Sequence, residues 1–556
     1  MTNPATEFSV ALLGELIGLG VRDIVLCPGS RSQAIALAAA AWEEAGQVRL
    51  RVRIDERVAG FLALGLAVET TRPVVIITTS GTAVANLHPA VLEAHHCGIP
   101  LILLTADRPD ELRGIGSNQT TDQPGIFGSA VRWVRDVAPP SPDHPEAERL
   151  AEEAYSAAAG DSARPGPVQL NLAFREPLSG PVGALPELRD RHRPASPAEA
   201  GREIDSAPNT VVIAGADAGA QAEAFARSLG VPLIAEVSSG SRFGPNLVVA
   251  YRELLGEAEF GGRVERAVVF GHPTLSRQIP ALLDRPDVMV HVVRGRTVDA
   301  YNPGRRAATI DPAVAFHGTA DTSPEGRAWL GSWVQASRRL QAAGQVKAPT
   351  IDEPGASERP GDFAREQLAV FREPVTRRLL VEAAWRVSWP HDRLVLGASR
   401  LIREADAVVT GKRIPVHANR GLAGIDGTIA TAIGIALASQ DGEDGGAAGI
   451  TRVLVGDLTA LHDIGALLFG GGEPRPRVQV IVGNDGGGTI FDGLEVAGSA
   501  PAEPFDRVQY TSQSVDFRSI AAAYGWGYRI ARNRGELDEA LAASEEPMLV
   551  EVPLPR

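Results

Sequence analysis

The chain has 556 residues, 44% of them hydrophobic and 22% charged, with a formal net charge of −14. At roughly 150 residues per domain, this length accommodates three or four domains with substantial cores, and the acidic balance argues against nucleic acid as the main partner. No apolar stretch is long enough to span a bilayer, and Cys27 and Cys97 form neither a metal pattern nor a disulfide framework, so no membrane partner and a reducing cytoplasm are the expectations.

In chain order, the N-terminal "FSVALLGELIGLGV" carries Glu15 and lacks a basic leader. It predicts an amphipathic helix, not a secretion signal. "DIVLCPG", "PVVIITTSG" and "PLILLTADRP" are β-rich runs ending in turn residues, with helical patterns such as "ERVAGFLALGLAVE" between them. These make a first block, residues 1–182. "SGPVGALPELRDRHRPASPAEAG" then reads as a linker. The middle block, 205–345, repeats the alternation more weakly in "NTVVIAGADAG", "RAVVFGHPTLSRQIPALL" and "DVMVHVVRG". Its "AGADAG" falls short of a dinucleotide fingerprint. A second linker, "QVKAPTIDEPGASERPGD", leads into 365–556, where "RLVLGASR", "RVLVGDLTAL", "RVQVIVGNDGGG" and "PMLVEVPL" bear strands. Strand–helix alternation in every block predicts three parallel-sheet α/β domains, with similar architecture expected in the first and third.

Within "RVLVGDLTALHDIGALLFGG" an apolar run meets Gly456-Asp457, and an apolar helical pattern follows from Leu461 to Phe469. The next run, "RVQVIV", ends at Gly483-Asn484. Open parallel sheets bind ligands outside the carboxyl ends of their strands. Asp457 and Asn484 are 27 positions apart, about one strand–helix–strand unit, and neighbouring strands lie about 4.8 Å apart. A carboxylate, an amide oxygen and the glycines 486–488 suit a hard cation that shares oxygens with a phosphate. Backbone N–H groups ahead of the helix could cradle that phosphate. The competing reading of the pair is an ordinary capped turn.

"GDL" followed by "GND" at this spacing resembles the diphosphate-binding motif of thiamine diphosphate enzymes. Leu458 replaces that motif's third-position glycine, and Asp485 its common second asparagine. The resemblance implies thiamine diphosphate and Mg2+, or Mn2+, as cofactors. The implied metal ligands are Asp457, Asn484 and the backbone carbonyl of Gly486. Glu56 in "RIDERVAGFLALGLA" looks like the catalytic glutamate that hydrogen-bonds the cofactor's aminopyrimidine. Taken alone, it would read as a helix-start acid favoured by the macrodipole.

"CPGSRS", "DERVAGFLALGLA", "TSGTAVANLHPAVLEA", "LILLTADRP", "NQTTDQPGIFG", "ANRGLAGIDG", "VGDLTALHD" and "GGGTIFDGL" narrow the match. Together they resemble the 2-succinyl-5-enolpyruvyl-6-hydroxy-3-cyclohexene-1-carboxylate (SEPHCHC) synthases, transferases of menaquinone biosynthesis. The match is dense in blocks one and three and thin in block two. It implies that 2-oxoglutarate loses CO2 and that the resulting succinyl carbanion adds to isochorismate. Both substrates are dicarboxylates, so the site needs cations. The resemblance assigns substrate binding to Ser30, Arg31, Arg108, Asn118, Gln119, Ser399, Arg403 and Arg420, and less securely Arg277. Ile490, Phe491 and Leu494 look like apolar walls. It assigns cofactor binding to Gly81, Thr82, Asn86, Ser399, Gly456, Leu458, Thr459 and Ile490, with Ile425 as the wedge beneath it. Arg403 and Arg420 are expected to serve 2-oxoglutarate, and Arg31 and Arg108 isochorismate. Asp426 is expected to brace its turn, and His95, His96 and Cys97 to end a helix. The family further implies a homotetramer, a dimer of dimers with active sites at the subunit interface. Alternatives are an acetohydroxyacid synthase, a 2-oxo acid decarboxylase, or a catalytically dead relative. The presence of Glu56, Asp457 and Asn484 weighs against the last.

Overall fold

Apolar runs with turn residues at both ends leave their backbone groups to be satisfied by neighbours, and in this chain those neighbours are parallel strands. The computed structural model describes residues 3–141, 146–160, 164–191, 201–312, 314–316, 320–343, 368–441 and 449–556. The first sheet holds β1 (Asp23–Leu26), β2 (Arg49–Val52), β3 (Val74–Thr78), β4 (Leu101–Asp107), β5 (Val134–Val137) and β6 (Val168–Ala173), in the order β2-β1-β3-β4-β6-β5. In the middle lie β7 (Arg202–Ile204), β8 (Thr210–Ala214), β9 (Leu233–Ala235), β10 (Arg266–Phe270), β11 (Met289–Val293), β12 (Ala307–Asp311) and β13 (Val314–Phe316). Five of these form the sheet β12-β11-β10-β8-β9, and β13 pairs with β7. The third sheet holds β14 (Arg393–Leu396), β15 (Val416–His417), β16 (Thr451–Gly456), β17 (Val478–Asn484), β18 (Gly527–Ile530) and β19 (Met548–Pro553), in the order β15-β14-β16-β17-β19-β18.

Counted from its own first strand, the third sheet has the same order as the first, 2-1-3-4-6-5. The expected three parallel α/β domains are present, and the first and third share one topology. In each, the strand order reverses beside the first strand, between β1 and β3 and between β14 and β16. Ligand crevices open at such switch points. The loops there carry Ser30–Arg31 and Gly81–Thr82 in the first domain, and Ser399 and Asp457 in the third.

One hydrophobic core runs through both of these domains, from Val25, Phe61 and Leu62 to Ile429, Ile433 and Val453. It is built on the crossing of the helix Glu56–Thr70 with the helix Thr428–Gln440. The crossing is close because two glycines face it. A Cβ on Gly65 would lie 2.0 Å from the Thr431 carbonyl oxygen, and one on Gly434 would lie 2.2 Å from that of Leu62.

Several local expectations need correction. The N-terminal helix, Pro4–Leu19, keeps the expected polar stripe, with Pro4, Glu7, Phe8, Ala11 and Glu15 less buried on one face, but the rest of it is buried, because helices and the 179–191 segment cover it. That segment reads as a linker in the sequence. Its Val182, Leu185 and Leu188 pack on a second core of the first domain, which holds Leu12, Leu13 and Trp42. The second linker, 345–362, and residues 192–200 of the first lie outside the described residues. The helix expected from Leu461 to Phe469 starts earlier, at Asp457, and ends at His462; a short 3-10 turn, Ile464–Leu467, follows. Asp463 breaks the pattern because its carboxylate accepts hydrogen bonds from Ile429 N (2.7 Å) and Ala430 N (2.9 Å) at the start of the helix Thr428–Gln440. Among the described residues, no helix is long and apolar enough to cross a membrane.

Candidate active site

Gly456 and Gly483 are paired in register at the ends of β16 and β17, so Asp457 and Asn484 stand side by side. Asp457 is 1% exposed. Burial pushes its carboxyl above the ordinary range, partly offset by a hydrogen bond from Gln513. Asn484 donates its Nδ2 to Glu551 Oε1 at 2.8 Å, which fixes the amide with its oxygen turned toward Asp457. Gln513 Nε2 donates to Asp457 Oδ2 at 2.7 Å and to Asn484 Oδ1 at 3.2 Å. Gln513 N donates to the Gly486 carbonyl at 3.0 Å. All three groups implied as metal ligands therefore face one residue and converge on electropositive hydrogens. Hard oxygen donors arranged in this way fit Mg2+. Among the described residues no group of three His, Cys, Asp or Glu side chains is placed to hold a metal ion. A single carboxylate suits a cation that draws its other oxygens from a diphosphate. Gly486 has φ +75°, a conformation glycine adopts without strain, and this turns its carbonyl inward. Leu458 and Thr459 follow in the first turn of the helix Asp457–His462. Asp485 is turned away, paired with Arg377 at 2.7 Å.

Glu56 opens its helix after the Asp55 cap and is half-buried. Its Oε2 accepts from Asn86 Nδ2 at 3.1 Å; Oε1 has no hydrogen bond among the described residues. Asn86 and Thr82 belong to the short helix Thr82–Asn86, and Gly81 precedes it with φ +80°. Among the described residues Glu56 has no hydrogen bond or ion pair with Asp457. Its neighbour Arg57 donates to the His462 carbonyl at 2.7 Å, at the far end of the Asp457–His462 helix. Five helical steps separate those ends by about 7.5 Å.

The candidate substrate residues form two sets. In the first domain Arg108 is 8% exposed. It donates to Ser80 Oγ and the Gln119 carbonyl, both at 2.6 Å, and Gln119 Nε2 donates to the Ser80 carbonyl at 2.8 Å. Burial, then the charge of Arg31, push the Arg108 guanidinium down. Arg31 is anchored by one hydrogen bond to the Phe174 carbonyl at 3.1 Å. Ser30 and Asn118 stand exposed at the rim. The second set joins the third and central domains. Arg420 donates to Thr274 Oγ1 through Nε (3.1 Å) and Nη2 (2.5 Å), while Arg403 has no carboxylate partner among the described residues. Loss of hydration, then Arg252 and Arg277, push Arg403 down. Arg277, the least secure by sequence, thus lies in the field of Arg403, and its own contact is Glu495 at 3.6 Å. Ser399 caps the helix that carries Arg403, accepting from Leu401 N at 3.1 Å. Ile490, Phe491 and Leu494 lie half-buried on the turn after β17, and Ile425 is exposed on the loop before Thr428. Asp426 on that loop lies 3.7 Å from His462 Nε2. His96 and Cys97 end the helix His88–Cys97 as expected.

Gln513, Ser80, Thr274, Glu93, Glu236 and Asp463 escaped the reading of the sequence. Ser80 and Glu93 lie within "TSGTAVANLHPAVLEA" and Asp463 ends "VGDLTALHD", but no role could be read for any of the six, because each acts through a partner remote in the chain.

Residues 7–126 match the family described as "Thiamine pyrophosphate enzyme, N-terminal TPP binding domain". The full chain is 61% identical to SEPHCHC synthase of Leifsonia xyli, covering 97% of that protein, and 55% identical to that of Clavibacter michiganensis, again covering 97%. The SEPHCHC synthase of Mycobacterium avium is 39% identical, with 98% of this chain and 95% of that protein covered. Among solved structures, benzoylformate decarboxylase of Polynucleobacter necessarius aligns with a TM-score of 0.66 over 100% of this chain and 99% of its own, at 16% identity, which speaks to the fold alone. The chain belongs to the SEPHCHC synthase family of thiamine pyrophosphate enzymes.

Proposed function

We propose that this chain is a thiamine diphosphate- and Mg2+-dependent SEPHCHC synthase that decarboxylates 2-oxoglutarate and joins the remaining four-carbon unit to isochorismate. The carrying observation is the second arginine set. Arg403 lacks a carboxylate partner, and Arg420 leaves Nη1 without a hydrogen bond among the described residues. Clustered guanidinium groups with N–H edges left unpaired favour an anionic ligand, and their planar fork takes carboxylates with two hydrogen bonds. An apolar-acid decarboxylase would have no use for them. Bound thiamine diphosphate supplies the electron sink for loss of CO2 and for carbon–carbon bond formation.

The chain's own residues bind, orient and move protons. Asp457, Asn484 and the Gly486 carbonyl would hold the cation. Glu56, steadied by Asn86, keeps Oε1 for the aminopyrimidine and exchanges a proton there. Arg403 and Arg420 would hold 2-oxoglutarate, and Arg31, Arg108 and Gln119 isochorismate. Within one chain Glu56 and Asp457 belong to different crevices, and large apolar side chains stand exposed beside the first, such as Ile54 at 75%. This supports a site completed by a second copy, in a cytoplasmic homotetramer of paired dimers. Incubation with 2-oxoglutarate, isochorismate, thiamine diphosphate and Mg2+, followed by mass spectrometry, tests the reading. SEPHCHC and CO2 are expected in equal amounts. Turnover of pyruvate or benzoylformate with no isochorismate adduct would overturn it.

A further inference from the structure

Arg420 is gripped from two sides by carboxylates of the two other domains. From the first domain, Glu93 on the helix His88–Cys97 accepts from Gly421 N at 2.7 Å and from Leu422 N at 2.8 Å, one oxygen each. From the central domain, Glu236, just past β9, accepts from Thr274 N at 3.0 Å and from Leu275 N at 2.6 Å. Thr274 is the residue that receives the Arg420 guanidinium, on Oγ1 and, at 3.4 Å, on its carbonyl.

Both carboxylates are out of solvent, Glu93 at 4% and Glu236 at 0% exposure. Neither has an ion-pair partner among the described residues. A buried charge is costly unless hydrogen bonds or an opposite charge compensate it. Here each side chain gets two backbone N–H groups, and Glu93 also the Cys97 thiol at 3.4 Å; burial, then the charge of Asp406, push the Glu236 carboxyl up, and Glu236 and Glu93 oppose the lowering of Arg420 by burial. The loop is tight as well: a Cβ on Gly421 would lie 3.0 Å from Cys97 Sγ, from the Glu93 carbonyl and from His96 Cβ. Arg420 therefore has its backbone fixed by the first domain and its guanidinium fixed by the central one. The edge that remains is Nη1.

We propose that Glu93 and Glu236 are positioning residues that together aim Arg420 at a carboxylate of a substrate. They touch neither substrate nor cofactor; they act through the backbone at Gly421–Leu422 and through Thr274. The central domain thereby takes part in substrate recognition through Glu236 and Thr274 as well as through any role of Arg277, without supplying a catalytic group. A pure packing role would lower stability and leave the kinetic constants alone. A positioning role raises KM for one substrate while kcat and cofactor affinity change little.

The proposal rests on the reading of Arg420 as a substrate arginine, so the experiment includes Arg420→Ala. Steady-state kinetics for each substrate, titration of thiamine diphosphate and melting curves are measured on the holoenzymes of Glu93→Gln, Glu236→Gln, Thr274→Val and Arg420→Ala. Glutamine preserves shape but presents one N–H to a backbone N–H, so one hydrogen bond of the grip is lost. The expected result is a KM raised about tenfold by each of the first three, for the same substrate that Arg420→Ala affects. Expected kcat lies within about threefold of wild type, and neither glutamine substitution adds to the effect of Arg420→Ala. If Arg420→Ala leaves both KM values unchanged, the substrate role of the arginine fails. If it raises one KM and the glutamine variants, folded, do not, the positioning role fails and the arginine stands. Should the glutamine variants not fold, Thr274→Val decides alone: it removes the acceptor for Arg420 and keeps the volume, and an unchanged KM overturns the proposal.

Discussion

Glu56 gives one oxygen to Asn86 and keeps the other for a ligand. Glu56→Gln retains the shape and the helix start, so the melting temperature should hold while kcat falls by about two to four orders of magnitude, the usual scale for a general acid–base group. Wild-type turnover in that variant would remove Glu56 from the chemistry. Asp457 has a different task. Asp457→Ala deletes the one carboxylate facing Gln513, so Mn2+ binding, followed by electron paramagnetic resonance, should weaken at least tenfold; an unchanged isotherm would discard the ligand set. Asp463 has a third. It is buried, its Oδ2 takes both helix-start N–H groups, and its Oδ1 has no partner. Burial pushes its carboxyl up to about 7, and an acid with an unpartnered buried oxygen is better neutral. The folded state then holds a proton between about pH 4 and 7 that the unfolded chain releases. The stability due to this group is fully present below pH 4 and is lost as pH rises through 7, by at most about 1.4 kcal/mol per unit. Asp463→Asn should flatten the melting temperature between pH 5 and 7; an unaltered slope would refute the neutral form.

At the scale of elements, the crossing of Glu56–Thr70 and Thr428–Gln440 rests on Gly65 and Gly434. The atoms that an added methyl would strike are backbone carbonyls, which cannot swing aside. Gly65→Ala or Gly434→Ala should therefore destabilise by about 1–3 kcal/mol through overpacking, measured by denaturant titration; a neutral effect would mean that the helices shift freely. The same elements show what a sequence discloses. Interior strands such as β3, β10 and β16 are legible as apolar runs. Edge strands such as β2 ("RLRV") and β5 ("VRDV") are short and carry arginine, so they lack that signal. The interior β6 ("VQLNLA") hides behind Gln169 and Asn171, which are buried because Thr105, Gln123 and Asp107 satisfy them. Asp457 and Asn484 are legible because they end apolar runs one strand–helix unit apart. Glu93 is not, because the backbone it holds is 328 residues away. Local periodicity carries no trace of such a partner.

At the scale of the whole molecule, the proposed site draws Glu56 from the first domain and Asp457 from the third. If each site joins two copies, Glu56→Gln and Asp457→Ala should be nearly inactive alone and active when mixed. In a mixed dimer one site receives both defects and the other receives none. Random re-pairing at equal amounts gives half mixed dimers with one good site of two, so about a quarter of wild-type activity should return. No recovery after co-refolding would place the site within one chain. The glycine crossing adds a consequence for recombination between relatives. A hybrid that takes its first domain from one parent and its third from another inherits two helix faces that were never selected together. Alanine at either glycine position in either parent would spoil the joint, however intact each half is. Breakpoints that keep 56–70 and 428–440 from the same parent should give folded hybrids, whatever is exchanged in the central domain between them.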